Sequence, residues 1–247
     1  MRHLFLCLCL LAAPAPVCAE VVILSTDFDA AIPPQVVPGV ATLTGVQGYA
    51  GLGPVGNQFG GNFLRSPTAN LVTVSLTSLP AHTSISLDFL FAAIDSLDGT
   101  GSVPPQGDFF SVTLDGNQIF RESFANATPA QIQSYIPPPG VELARRVDLG
   151  FSGPGSFFTD SAYYLGADPV FQNIAHTGST AILTFQIEGP GIQSLNDESW
   201  AMDNLRISVN AVPEPASSVL LFSAGLVLLA TVRLWRRSTH TTSPAPA

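Results

Sequence analysis

The sequence predicts an all-β fold, a two-sheet antiparallel sandwich of jelly-roll type, flanked by an N-terminal signal peptide and a C-terminal single transmembrane helix. Three observations predict it. Between residues 20 and 211, runs rich in β-branched and aromatic residues recur, and several alternate polar and apolar with period two. No helical stripe of any length interrupts them, so there is no βαβ rhythm. Gly and Pro, 21 of each, punctuate the gaps between the runs as turn residues.

Taken in order, Met1 to Ala19 opens with Arg2 and His3, continues as a Leu-, Phe- and Cys-rich run and closes on "VCA" before Glu20. That is the three-part pattern of a secretory signal peptide, with small residues Val17 and Ala19 before the cut. A lipoprotein signal with Cys18 as the lipidated residue is the competing reading, and "APV" before it matches poorly. All three cysteines (Cys7, Cys9, Cys18) fall inside this leader. The exported segment is therefore held by its core or by metal rather than by disulfides.

The strand candidates are "EVVILST" (20–26), "GVATLTGV" (39–46), "NLVTVSLTSL" (70–79), "TSISLDFLFAAI" (83–94), "DFFSVTLDG" (108–116), "NQIFRESF" (117–124), "TAILTFQIEG" (180–189) and "SWAMDNLRISV" (199–209). Alternation is cleanest where Val72, Val74 and Leu76 face Thr73, Ser75 and Thr77 across the strand. Asp115-Gly116-Asn117 between two runs is a hairpin signal. Val103–Gly107 and Ser134–Leu165 read as loops, with a doubtful strand at "VELARRVDL". Trp200 lies in an apolar-alternating strand, which favours the core.

After residue 211 the composition changes. Val212, Pro213, Glu214 and Pro215 form an extended, helix-breaking turn. Ala216–Val232 then carries no charge, and at about 1.5 Å per residue its 17 residues just span a thin hydrocarbon layer. Arg233, Arg236 and Arg237 follow at once, and three guanidiniums stay cytoplasmic, leaving residues 20–211 outside. Physics alone leaves two readings of residues 212–237, an ordinary anchor or a processing signal; residues 238–247 are a short cytoplasmic tail.

That order of Pro-Glu-Pro, apolar helix and Arg cluster resembles the PEP-CTERM sorting signal. The resemblance implies export by a Gram-negative bacterium that makes exopolysaccharide, and an exosortase as the processing partner. It further implies transient membrane anchoring through the helix, then delivery to the cell surface or extracellular matrix.

Charge narrows the function. Residues 20–211 hold 17 acids against five arginines, a net charge of −12. Such a surface repels phosphate backbones, so nucleic acid is excluded as a partner. Catalysis has no foothold either: no nucleophile elbow, no H-E-x-x-H and no phosphate-cradling loop are present. His82 in "PAHTS" and His176 in "IAHTG" read as turn residues with exposed imidazoles. No residue is assigned a catalytic role, and the chain is read as a non-enzyme.

The carboxylates carry more. "AIDSLDGTGSVPPQGDFF" places Asp95, Asp98 and Asp108 around a Gly/Pro-rich loop, where hard oxygen ligands suit Ca²⁺. Turn-capping Asp residues are the competing explanation. A second candidate joins the two ends of the domain: Asp27 and Asp29 in "STDFDA" with Asp203 and Asn204 in "ESWAMDN". A structural Ca²⁺ is thus the one cofactor expected. The segments "DESWAMDNLRIS" (197–208), "DFLFAAIDSLDG" (88–99) and "GDFFSVTLDGNQIF" (107–120) are similar to lectin-like jelly-roll domains of exported bacterial proteins. That resemblance implies structural Ca²⁺ near the terminal strands and, in some members, glycan binding. Tyr163 and Tyr164 in "AYYLG" are the aromatic candidates for stacking a sugar.

Three functions follow: a non-catalytic exosortase-sorted protein of the surface or exopolysaccharide matrix, a Ca²⁺-dependent carbohydrate-binding module, or a polysaccharide hydrolase. The last requires two carboxylates about 5–10 Å apart in an open cleft.

Overall fold

Strand formation follows the alternation of the sequence. In "VTVSL", Val72, Val74 and Leu76 are buried while Thr73 and Ser75 face outward, so one residue in two is removed from water. The structure is a computed structural model that describes residues 19–100, 107–151 and 159–212. Residues 1–18 of the leader, most of the loop 103–107, and the tail with Pro213, Glu214, Pro215, Arg233, Arg236 and Arg237 lie outside the described residues. Among the described residues, no helix is long and apolar enough to cross a membrane.

The strands, in chain order, are β1 (Ala19–Thr26), β2 (Val36–Val37), β3 (Thr42–Gly45), β4 (Asn62–Pro67), β5 (Val72–Leu76), β6 (His82–Asp95), β7 (Phe109–Leu114), β8 (Asn117–Ser123), β9 (Glu142–Val147), β10 (Asp160–Tyr164), β11 (Ile174–Ala175), β12 (Ala181–Glu188) and β13 (Glu198–Ala211). They form an all-β, two-sheet antiparallel sandwich within the compact unit Ala19–Ala211. One sheet runs β3-β4-β13-β6-β10-β9, with β1 also pairing β13 and β11 pairing β6; the other runs β2-β5-β12-β7-β8.

Every strand candidate in the sequence has a counterpart, and the doubtful one is β9. Four strands were not expected: the two-residue β2 and β11, and the longer β4 and β10. β4 is a short run between glycines and a proline, and β10 lies inside the stretch Ser134–Leu165 that reads as loop. The hairpin signal holds: Leu114 pairs with Asn117, and Asp115 (φ 50°) and Gly116 (φ 79°) both adopt the left-handed backbone that a tight two-residue hairpin turn requires.

β6 explains why the fold has more than one buried layer. Its C-terminal half, "FLFAAID", is buried on both faces. Phe89, Phe91 and Ala93 join the core between the sheets, packing with Phe110, Phe124, Phe185 and Trp200. Leu90, Ala92 and Ile94 point the other way, under a lid of Tyr49, Phe59, Phe63 and Phe151. A strand covered on both faces reads as a continuous apolar run rather than an alternating one. Trp200 is fully buried, as its pattern indicates, with its ring centroid 5.3 Å from that of Phe110. Removing an aromatic side chain of this kind costs about 3–5 kcal/mol.

Candidate metal centre

At one end of the sandwich, three chain segments bring carboxylates together. β6 ends at Asp95 and the chain turns away, placing Asp98 on the following loop. Asp108 immediately precedes β7, a strand of the other sheet. Antiparallel pairing of β13 with β6 sets Glu198 opposite Asp95, at that same end. One oxygen from each of Asp98, Asp108 and Glu198 lies within 4.8 Å of the others, and Asp108 and Glu198 are fully buried.

Their hydrogen bonds are unequal. The Asp98 amide donates to Asp108 Oδ2, and Gln131 Nε2 donates to Asp98 Oδ1. Glu198 Oε2 accepts from the Gln193 amide at 2.7 Å. Asp108 Oδ1, by contrast, is buried with no hydrogen-bond donor among the described residues. Burial first, then repulsion by neighbouring acids, raises the carboxyls of Glu198 and Asp108 well above the ordinary range, and burial raises Asp98 as well. Two carboxyl oxygens that face each other away from water need either a shared proton or a cation between them. A fourth segment closes the space: at Gly191 a Cβ would fall 2.7 Å from Asp108 Oδ1 and crowd it.

The composition of this group corrects the sequence expectation. Asp98 and Asp108 converge as anticipated, but Asp95 does not join them. Its carboxylate lies 3.9 Å from the Arg65 guanidinium, and its amide donates to Asp160. Glu198, a residue the sequence did not single out, takes the third place.

The second expected cluster behaves differently. Asp27, Asp29, Asp203 and Asn204 do gather around residues 58–62, yet backbone donors and acceptors absorb their polar atoms. Asp203 accepts from the amides of Gly60 (3.2 Å) and Asn204 (2.7 Å). Asp29 Oδ1 accepts from the Asn62 amide at 2.8 Å, Asp27 Oδ1 from the Asp29 amide at 3.1 Å, and Asn204 Nδ2 donates to Gln58 O at 2.9 Å. Burial chiefly, with Asp29 and Asp27 adding to it, pushes the Asp203 carboxyl up to about 7. These residues build a loop anchor, and their oxygens do not converge as those of Asp98, Asp108 and Glu198 do.

The two tyrosines separate because consecutive strand residues face opposite sides of a sheet. Tyr163 points into the core, fully buried, its hydroxyl donating to Gln133 Oε1 at 3.2 Å, so it presents no ring to a ligand. Tyr164 lies on the opposite face, half-buried against the second apolar cluster, and its hydroxyl donates to Asp88 Oδ2 at 3.0 Å. Asp88 lines a polar cleft of about 410 Å³ together with Asp27, Asn57, Asn204 and Arg206.

The histidines are also not the exposed pair expected. His82 is buried, and the two rings stack with centroids 5.0 Å apart. His82 Nδ1 lies 2.6 Å from Pro80 O, His82 Nε2 lies 2.7 Å from His176 Nδ1, and His176 Nε2 lies 3.0 Å from Asp115 Oδ2. The two imidazoles thus tie the β7–β8 turn to the corner before β6. Nothing in the local sequence shows this contact, which spans 94 positions between the rings.

Comparison with known proteins bears first on the tail. Residues 211–238 match the PEP-CTERM protein-sorting motif. The motif begins on Ala211, the last residue of β13. No curated protein sequence matches the chain. Among solved structures, the CBM22-1 xylan-binding domain of Paenibacillus barcinonensis Xyn10C is similar at 13% identity and a TM-score of 0.30, over 82% of this chain and all of that one. The CBM22-1–GH10 modules of Clostridium thermocellum Xyn10B are similar at 10% identity and a TM-score of 0.29, over 79% of this chain and 30% of that one. A GH87 α-1,3-glucanase catalytic domain is similar at 14% identity and a TM-score of 0.28, over 82% of this chain and 30% of that one.

Proposed function

We propose that this protein is an exosortase substrate whose sandwich serves without catalysis at the cell surface or in the exopolysaccharide matrix. The sorting motif at residues 211–238 carries that reading. A secretory leader over Met1–Ala19, a transmembrane helix over Ala216–Val232 and a cytoplasmic Arg233, Arg236, Arg237 cluster complete it. The converging acids favour a structural role over hydrolysis. Two of them are shut away from solvent rather than lining an open cleft that a sugar chain could enter.

The test is the intact mass of the protein recovered from the cell surface. Processing removes the chain from the Pro213–Pro215 segment onward; a full-length mass on the surface overturns the reading. The Arg233→Ala, Arg236→Ala, Arg237→Ala triple variant is expected to lose fixed orientation and surface delivery.

A Ca²⁺-dependent carbohydrate-binding role is the second reading, favoured by the polar cleft at Asp88, Asn57 and Arg206 with the Tyr164 hydroxyl at its side. It expects glycan-array binding that falls in Asp88→Ala and Tyr164→Ala. Binding untouched by both variants removes the cleft from consideration.

A further inference from the structure

Three features set the acidic end of the sandwich apart from the other acids of the chain. First, Asp108 Oδ1 is fully buried, has no amide, hydroxyl or basic donor among the described residues, and meets the Glu198 carboxyl. A buried acceptor left without a donor costs about 1–3 kcal/mol, more when charged, so either a proton shared with Glu198 or a cation supplies the missing positive charge. Second, that charge comes from no basic side chain: the ion pairs among the described residues involve Asp95, Asp115, Glu20, Glu142 and Glu188, and none of the three converging acids. Third, the geometry has the reach of one ion. Oxygens bound at about 2.3–2.6 Å sit up to about 5 Å apart across a Ca²⁺, and those of Asp98, Asp108 and Glu198 fall within 4.8 Å of one another.

We propose that Asp98, Asp108 and Glu198 hold a single Ca²⁺ that clamps the loop after β6 and the start of β7 onto the start of β13. The donor set is all carboxylate oxygen, with no imidazole or thiolate, which selects a hard cation over Zn²⁺ or Cu²⁺. Mg²⁺ fits less well, because it keeps its own waters and a strict octahedron, whereas two of these three ligands lie buried. The three acids come from both sheets and from segments up to 100 positions apart, so the ion joins the two layers where no disulfide does. Gly191 leaves the room beside Asp108, and the Gln193 amide holds Glu198 in place. The inference concerns the sandwich alone and does not depend on how the tail is processed.

The test uses the full chain purified in detergent, melted in excess EGTA and again in millimolar CaCl₂ or MgCl₂. Ca²⁺ is expected to raise the melting temperature by about 5 °C or more, by mass action on the folded state. The Asp108→Asn/Glu198→Gln variant keeps both side-chain shapes and the acceptors for the Asp98 and Gln193 amides, and is expected to lose that shift. Asp27→Asn/Asp29→Asn, at the other acidic cluster, is expected to retain it. Because a melting shift needs a folded variant, Tb³⁺ luminescence excited through Trp200, two residues from Glu198, provides a second readout on the unaltered chain, quenched as Ca²⁺ displaces the lanthanide. No shift in the unaltered chain, a shift that survives in Asp108→Asn/Glu198→Gln, a shift lost in Asp27→Asn/Asp29→Asn, or an equal shift with Mg²⁺ would each overturn the proposal.

Discussion

Two acidic clusters of this molecule have similar composition and different chemistry. Around Asp203, each carboxylate meets backbone amides, and the acids are the mortar of a loop anchor. Around Asp108, the carboxyls meet one another, and one buried oxygen meets no backbone or basic donor among the described residues. The contrast shows that acid density does not make a cation site. What distinguishes one is the count of donors the fold has already supplied to each oxygen.

The contrast breaks most sharply at Asp203. Asp203→Ala removes the acceptor of two amides, Gly60 and Asn204, and is expected to lower unfolding free energy by about 2–3 kcal/mol in urea titrations, with or without Ca²⁺. A loss that appears only when Ca²⁺ is present would mean that this cluster, too, is held by an ion. At the other end, Gly191→Ala pushes a methyl group against Asp108 Oδ1 and is expected to cost about 1–3 kcal/mol as overpacking. A neutral result by calorimetry would show that the space beside Asp108 is not filled as described.

A gentler probe is pH. Burial chiefly pushes the Asp203 carboxyl up to about 7, so the folded chain holds a proton there that the unfolded chain has released above about 4. Its contribution to stability is present at low pH and is lost as pH rises toward about 7. The difference in denaturation midpoint between the unaltered chain and Asp203→Asn should therefore shrink across that window; a difference that stays constant contradicts the assignment. The smallest effect belongs to Asp29, whose carboxylate also accepts an amide but at the surface. Asp29→Asn is expected to change stability by less than about 1 kcal/mol, because water replaces what the side chain gives up. A larger loss would mean that charge, rather than burial, governs this cluster.

Much of the sandwich was legible because long strands advertise themselves by alternation. β5 and β12 show it residue by residue, and Asp115-Gly116 announces its turn. β4 and β10 escaped because they are buried at consecutive positions and so do not alternate, and the two-residue β2 and β11 are too short to hold a period. Sites were harder to read than strands. Asp98 and Asp108 stand in one loop and are visible together, while Glu198 is 90 positions further on and becomes their neighbour only through the register of β13 against β6. Asp95, closer in sequence, is drawn off by Arg65, a partner no local pattern indicates. Tyr163 and Tyr164 differ by one position and therefore by a whole sheet thickness. The tail is the reverse case, since its meaning lies in the order of its residues and needs no tertiary contact.

The position of β13 has a mechanical consequence. Its last residues, Leu205–Ala211, pair with β1 on one side, Ser199–Met202 pair with β4 on that same side, and β6 runs along most of the other. A tether pulling through residue 212 thus loads the middle of the larger sheet rather than a free margin. Ladder bonds to three neighbours lie across the direction of pull and must be sheared together instead of unzipped one at a time. A body hung from the cell by its C-terminus would resist drag from flowing water at the very strand where the strain enters.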